Sequence, residues 1–303
     1  MVVPTRDRPA LVPRAVASAL AQTVTDIEVV VVDDGSIDPV RLASDDHRLR
    51  VIRLDRPMGP CAARNRALAA ARGRWVTFLD DDDELEPEML ALSLRAAKDS
   101  ALPAPVAVLT GVRVVDEDGR VLETRRPMTL PRGRRYPLEE AGTGSRLNHN
   151  TLVAPREVLC QIRGFDERLP AWEHDDLFLR LNAVCSIQGV PTVGYRQTVQ
   201  ATPGLSGNLL ARAAGIEHTL AKHRGTYATD PGRRAYLLGA MGLAYLRSGR
   251  WRQAIAASSR SLLVRPRWRT CGWWVACLAG PRAVTVSDRW RTRLAERRRG
   301  ARP

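Results

Sequence analysis

The sequence predicts an α/β fold, a parallel sheet covered on both faces by helices, followed by a helical C-terminal region. Short apolar runs at residues 29–32, 51–54 and 75–79 alternate with helix-like stretches at 11–22 and 62–72. Strand, helix, strand in this rhythm gives parallel pairing. Runs that are apolar at consecutive positions suit strands buried on both faces. From about residue 205 the pattern changes to a helical period of Leu, Ala and Tyr that lasts to Leu263.

The elements follow in order. The first strand, Met1-Val2-Val3, is very short, and the expectation is that a few residues precede it in the whole protein; it runs into Pro4-Thr5-Arg6. The second ends at Asp33-Asp34-Gly35-Ser36, the third at Asp55, and the fourth at the acidic run Asp80-Asp81-Asp82-Asp83. Ligands of open α/β sheets bind outside the carboxyl ends of the strands. The clusters ending the first, second and fourth strands are therefore expected to converge on one crevice. Residues 103–204 mix strands (106–109 and 111–115) with loops and a helix near 175–184. The boundary is placed so that 1–204 form one domain and 205–303 a helical region.

A chain of 303 residues, 44 % of them hydrophobic, can bury a sizeable core. The net charge of +14 is uneven. Residues 205–303 hold 20 Lys+Arg against 4 Asp+Glu, while residues 1–204 hold 27 against 29. A tail such as Arg297-Arg298-Arg299, with Trp268, Trp273 and Trp274 nearby, suits an anionic membrane surface. A core helix with a solvated tail is the plainer alternative, because the chain uses Arg almost exclusively as its base. No nucleic-acid partner is expected. The five cysteines form no CxxC pair and no zinc spacing, no secretory signal opens the sequence, and no apolar run is long enough to span a bilayer. The expected location is the cytoplasm, with peripheral contact at the inner face of the plasma membrane.

Four aspartates ending a buried strand repel one another unless a positive group joins them. A hard divalent cation, Mn²⁺ or Mg²⁺, resolves that repulsion and bridges carboxylates to substrate phosphates. The alternative is an acidic helix start, with Asp83-Glu84 preceding a helix over 85–94.

Six ordered segments decide between these readings. Val2-Val3-Pro4-Thr5-Arg6-Asp7-Arg8-Pro9 opens the series, and Ser18-Ala19-Leu20-Ala21-Gln22-Thr23 and Val31-Val32-Asp33-Asp34-Gly35-Ser36 follow. Ala62-Ala63-Arg64-Asn65-Arg66-Ala67, Gly73 to Asp83 and Gly164-Phe165-Asp166-Glu167 complete it. Over residues 1–205 the chain resembles a family-2 inverting glycosyltransferase with the GT-A fold, the Rossmann-like nucleotide-diphospho-sugar transferase architecture. The resemblance implies a nucleotide-sugar donor, most usually of uridine. It also implies a glycan, lipid-linked or other hydroxyl acceptor in envelope or extracellular polysaccharide synthesis. It puts Pro4, Thr5, Arg6 and Asp34 at the nucleotide, Arg64 near the donor, Asp81 at the sugar or ribose, and Asp80 and Asp82 at the metal.

The second acidic cluster is Glu173-His174-Asp175-Asp176-Leu177. Family members carry an aspartate as catalytic base at the second position, where this chain has His174. His174, Asp175 and Glu173 all remain candidate bases, and Asp176 is expected on the acceptor side. A histidine at that position favours a rival reading, a catalytically inactive binding or scaffold protein. A nucleotidyltransferase would need a glycine-rich phosphate loop near the N-terminus, and residues 5–12 contain no glycine. In the C-terminal region Gly242, Tyr245, Gly249, Ala254 and Pro266 fall at the spacings of one tetratricopeptide-like helix pair. Ser258 and Ser261 stand where that repeat carries Phe and Ala.

Overall fold

The first apolar runs form the parallel part of a sheet in the computed structural model, which describes residues 1–134, 149–199, 208–266 and 268–278. The chain divides into two units, one of Met1–Arg168 with Glu173–Thr202, the other of Leu169–Trp172 with Pro203–Pro303.

The first unit runs β1 (Val2–Thr5), α1 (Val12–Leu20), β2 (Val29–Asp33), β3 (Leu49–Arg53), α2 (Pro60–Ala70), β4 (Trp75–Thr77), β5 (Glu84–Leu85) and α3 (Met89–Lys98). It continues with β6 (Val106–Val115), β7 (Val121–Arg125), a 3₁₀ turn (His149–Thr151), β8 (Leu152–Pro155), α4 (Arg156–Gln161), α5 (Glu173–Val184) and β9 (Ser186–Thr198). Strands β1, β2 and β3 pair in parallel in that order. The chain leaving β4 meets β1 in parallel at Val2 and Phe78, and the Leu79 N–H donates to the Val2 carbonyl at 2.9 Å. The valines of β2 serve both faces. Val30 and Val32 pack in a cluster with Ala63, Ala67 and Leu68 of α2, while Val29 and Val31 pack with Val12, Ala15 and Val16 of α1. This period of two, apolar on both sides, is why the strand reads as an uninterrupted valine run.

Beyond β4 the sheet is mixed, in the order β4-β8-β6-β9-β5 with β7 on β6. The parallel rhythm stops where crossover helices stop. β6 and β7, for example, are joined by the tight turn at Asp116–Arg120, and a hairpin can only pair antiparallel. The two strands expected at 106–109 and 111–115 are the single β6, with a register shift against β9 around Thr110 and Gly111. The helix expected over 85–94 is also corrected. Glu84 and Leu85 pair with Arg196 and Tyr195 of β9, and the helix starts at Met89. The acidic run is therefore not a helix start.

The second unit contains α6 (Leu209–Lys222), α7 (Arg224–Ala228), α8 (Pro231–Arg247), α9 (Trp251–Val264) and α10 (Trp268–Leu278). Helix α8 begins at the Asp230 cap, whose carboxylate accepts the Arg233 N–H at 2.9 Å, with Pro231 in the first turn. α8 and α9 pack against each other and carry Gly242, Tyr245 and Ala254. A Cβ on Gly242 would lie 2.3 Å from Ser258 Oγ, so the crossing requires glycine there. Ser258 and Ser261 are buried in this contact, and Ser261 Oγ donates to the Ala235 carbonyl at 2.6 Å. No helix among the described residues is long and apolar enough to cross a membrane. The arginines at 297–299 lie outside the described residues.

Candidate active site

Three strand ends meet as the sequence predicts. Thr5, the last residue of β1, donates its hydroxyl to Asp81 at 2.7 Å. The loop that follows carries Asp7 in the left-handed region (φ 54°) and is tied to the loop after β2. The Asp7 N–H donates to Ser36 Oγ at 2.9 Å, and its carboxylate accepts the Ile37 N–H at 2.8 Å. Pro4 is buried within β1 opposite Val32, whereas Arg6 is exposed and pairs with Asp7 at 3.3 Å.

At the end of β2 the two aspartates differ. Asp33 accepts the N–H groups of Ser36 and Val40 and an ion pair from Arg53 at 3.0 Å. Burial pushes its carboxyl up, but these donors outweigh burial and hold it below the usual carboxylate range. Asp34 accepts the N–H groups of Met58 and Gly59 at 2.7 and 2.8 Å, fixing the loop that leads into α2. Gly35 takes φ 65° between them, and a Cβ there would strike the Arg56 backbone at 2.6 Å.

The acidic run divides its labour. Asp80 accepts Arg64 Nη2 at 2.8 Å and Asn150 Nδ2 at 2.5 Å. Burial opposes its charge, yet the Arg64 guanidinium keeps its carboxyl below the ordinary value. Asp81, buried against Thr5, is pushed up to about 6, chiefly by burial. Asp82 is raised by burial and by Asp80. Asp83 is raised well above the ordinary range by burial and by Asp80; it accepts the Tyr195 hydroxyl at 2.7 Å and the Thr198 N–H at 2.8 Å. One carboxylate oxygen from each of Asp80, Asp82 and Asp83 lies within 4.8 Å of the others. All are hard oxygen donors, a set that fits Mn²⁺ or Mg²⁺.

Arg64 ties this cluster to the second one. Its side chain is only 5 % exposed, and its Nη1 donates to Glu173 Oε1 at 3.2 Å while Nη2 holds Asp80. The guanidinium also lies 5.4 Å from the Phe165 ring centroid. Burial opposes the charges of both Arg64 and Glu173, and their pairing outweighs it: Arg64 is raised, and Glu173 is held below the usual carboxylate value. His174 and Asp175 follow in the first turn of α5, both half-buried. Asp176, expected on the acceptor side, sits one turn before Arg180 on α5. It is fully buried and paired with Arg180 at 2.5 Å, and Arg180 also donates to the Ile162 carbonyl. This pair fastens the first turn of α5 to the loop at Ile162.

Sequence reasoning missed Asn150, His149, Tyr195 and the role of Arg8. Asn150 and His149 sit in one short turn with no periodic pattern, and Tyr195 reads as an ordinary strand aromatic. Arg8 was visible in the opening segment but without a partner.

The family model described as Glycosyl transferase family 2 matches residues 1–153. The chain is 37 % identical over 198 residues to the succinoglycan biosynthesis protein ExoO of Rhizobium meliloti, covering 60 % of this chain and 55 % of that protein. It is 29 % identical over 194 residues to chondroitin synthase of Escherichia coli, covering 61 % of this chain and 26 % of that one. The chain thus spans about half the length or less of these relatives. Among solved structures, S. aureus TarS 1-349 in complex with UDP-GlcNAc matches with a TM-score of 0.57 at 19 % identity, over 91 % of this chain and 78 % of that chain. That likeness shows a common GT-A fold. With the family model spanning the three strand ends and the acidic run, the chain belongs to glycosyl transferase family 2.

Proposed function

We propose that the protein is a metal-dependent inverting glycosyltransferase. It would move a sugar from a nucleotide-sugar, a UDP-sugar by preference, to a hydroxyl of a glycan or lipid-linked acceptor in polysaccharide synthesis. The observation that carries this reading is Arg64, which links Asp80 at the end of β4 to Glu173 at the start of α5. One buried cation thereby draws the donor-side acids and the acceptor-side cluster into a single site. The ExoO and chondroitin synthase relatives support the polysaccharide context, and the UDP-GlcNAc complex of TarS supports the donor class.

Pro4, Thr5, Arg6 and Asp34 surround the nucleotide in this reading, and Asp81 receives a hydroxyl of the sugar or ribose. Asp82, with Asp80 beside it, would hold Mn²⁺ or Mg²⁺, which supplies charge stabilisation to the departing diphosphate. A base in the first turn of α5 takes the proton from the acceptor hydroxyl. The freed oxygen attacks the anomeric carbon from the face opposite the diphosphate, the old C–O bond breaks, and the nucleoside diphosphate leaves with that electron pair. One in-line displacement inverts the centre. Glu173 is engaged by Arg64, His174 and Asp175 follow it in the same turn, and His174 occupies the family position.

Asp82→Asn should abolish transfer and leave the circular dichroism spectrum unchanged; full activity, or activity in excess chelator, counts against a metal. His174→Ala should lower turnover by about 10² to 10⁴, the usual worth of a positioned base. If Asp175→Asn carries that loss instead, Asp175 is the base. If neither does, and no donor is ever consumed, the inactive binding-protein reading takes its place.

A further inference from the structure

Arg8 stands on the loop after β1, and its Nη1 donates to both Asp81 Oδ1 and Asp82 Oδ2, each at 2.9 Å. The acids are the more buried partners in this contact. Thr5 holds the Asp81 carboxylate, and Arg14 Nη2 holds the Asp82 carbonyl at 2.8 Å. The guanidinium is the partner with freedom. Its side chain is 33 % exposed, against 7 % for Asp81 and 20 % for Asp82. The loop beneath it is anchored at Asp7 through Ser36 and Ile37, so Arg8 can swing without the backbone moving.

A cation coordinated by Asp82 would sit about 2.0–2.6 Å from a carboxylate oxygen. A guanidinium on the same carboxylate would then lie within a few ångströms of a dication, at a site poorly screened by water. The two positive groups compete for Asp82. The planar fork of an arginine also matches phosphate oxygens in two-point contact.

We propose that Arg8 is a built-in counter-ion to Asp82 that a divalent cation displaces, and that the released guanidinium then clasps the donor diphosphate. Cation and diphosphate consequently bind cooperatively, and the cation alone binds weakly. This rests on the reading of Asp82 as a cation ligand, and the test separates the two.

Mn²⁺ binding is measured by the electron paramagnetic resonance signal of free Mn²⁺, with and without UDP. The proteins compared are wild type, Arg8→Ala, Arg8→Lys and Asp82→Asn, each checked for folding by circular dichroism. Wild type should bind Mn²⁺ at least about tenfold more tightly with UDP, within the usual 5- to 150-fold range of coupling between sites. Arg8→Ala should bind Mn²⁺ alone about tenfold more tightly than wild type, bind UDP more weakly, and lose most of the coupling. Arg8→Lys should keep part of it. If Arg8→Ala leaves both affinities unchanged while Asp82→Asn loses Mn²⁺, the counter-ion role is wrong and the metal site stands. If Asp82→Asn binds Mn²⁺ like wild type, the metal reading fails and the counter-ion role with it. Failure of UDP to bind wild type at all overturns the diphosphate half.

Discussion

His149 is fully enclosed, its ring 5.4 Å from Phe165 and 6.4 Å from Phe78, both edge-on. Neither ring nitrogen has a hydrogen-bond partner among the described residues. Burial, and after it the nearby Arg64 cation, push the imidazole down to about 3. Between pH 6.5 and 3 the unfolded chain therefore binds a proton that the folded chain refuses. Stability should fall as pH drops through this window, by up to about 1.4 kcal/mol per pH unit from this group. His149→Phe should flatten that slope. It should also raise the melting temperature at pH 7.5, because an unsatisfied buried polar atom costs about 1–3 kcal/mol. Thermal melts from pH 4 to 8 decide the matter, and an unchanged slope in the variant would place the acid sensitivity elsewhere. At this scale the sequence announces chemistry but not partners. Asp34 and the aspartates at 80–83 were legible because acids at strand ends are expensive and therefore informative. That Asp34 fastens Met58 and Gly59, or that Asn150 reaches Asp80, depends on contacts between distant segments that no local pattern encodes.

Elements were legible wherever periodicity and turn chemistry agreed. The crossing of α8 and α9 is the clearest case, since Gly242 and Gly249 mark a close approach and a left-handed turn (φ 76°). Gly242→Val should drive a side chain into Ser258 and lower the stability of the helical unit by about 1–3 kcal/mol or more, as overpacking does. Limited proteolysis and a melting curve read this directly, and a variant as resistant as wild type would show that the helices can part without cost. The misplaced helix at 85–94 has a tertiary cause. The long strand β9 offers Glu84 and Leu85 a partner, and Pro87 keeps the residue before it out of the helical region. That proline was the signal that places the helix start at Met89. The serines at 258 and 261 looked like departures from a repeat, yet they satisfy their hydroxyls inside the contact, with Ser258 Oγ 3.2 Å from the Cys277 thiol.

Across the whole molecule the charge is divided as sharply as the fold, with the excess of arginine gathered in residues 205–303. The sequence expectation of contact with anionic membrane makes a measurable prediction for this region, in which α10 carries exposed Val275 and Leu278. Attraction of about 1 kcal/mol per basic residue at the surface should fade as salt rises. Cosedimentation with phosphatidylserine-containing vesicles should therefore exceed that with neutral vesicles at low salt. Equal partition to both would remove the electrostatic part of this reading. At the opposite end of the chain, β3 is the last strand of its sheet in the order β1-β2-β3. Its outer rim of backbone N–H and C=O groups is a template on which another polypeptide could add a strand. Val51 is 44 % exposed there, but Arg50 and Arg53 flank it, paired inward with Glu28 and Asp33. Charged side chains on an edge strand disfavour such pairing, and exchanging both arginines for valine, which also removes their ion pairs with Glu28 and Asp33, should make the protein scatter light on standing.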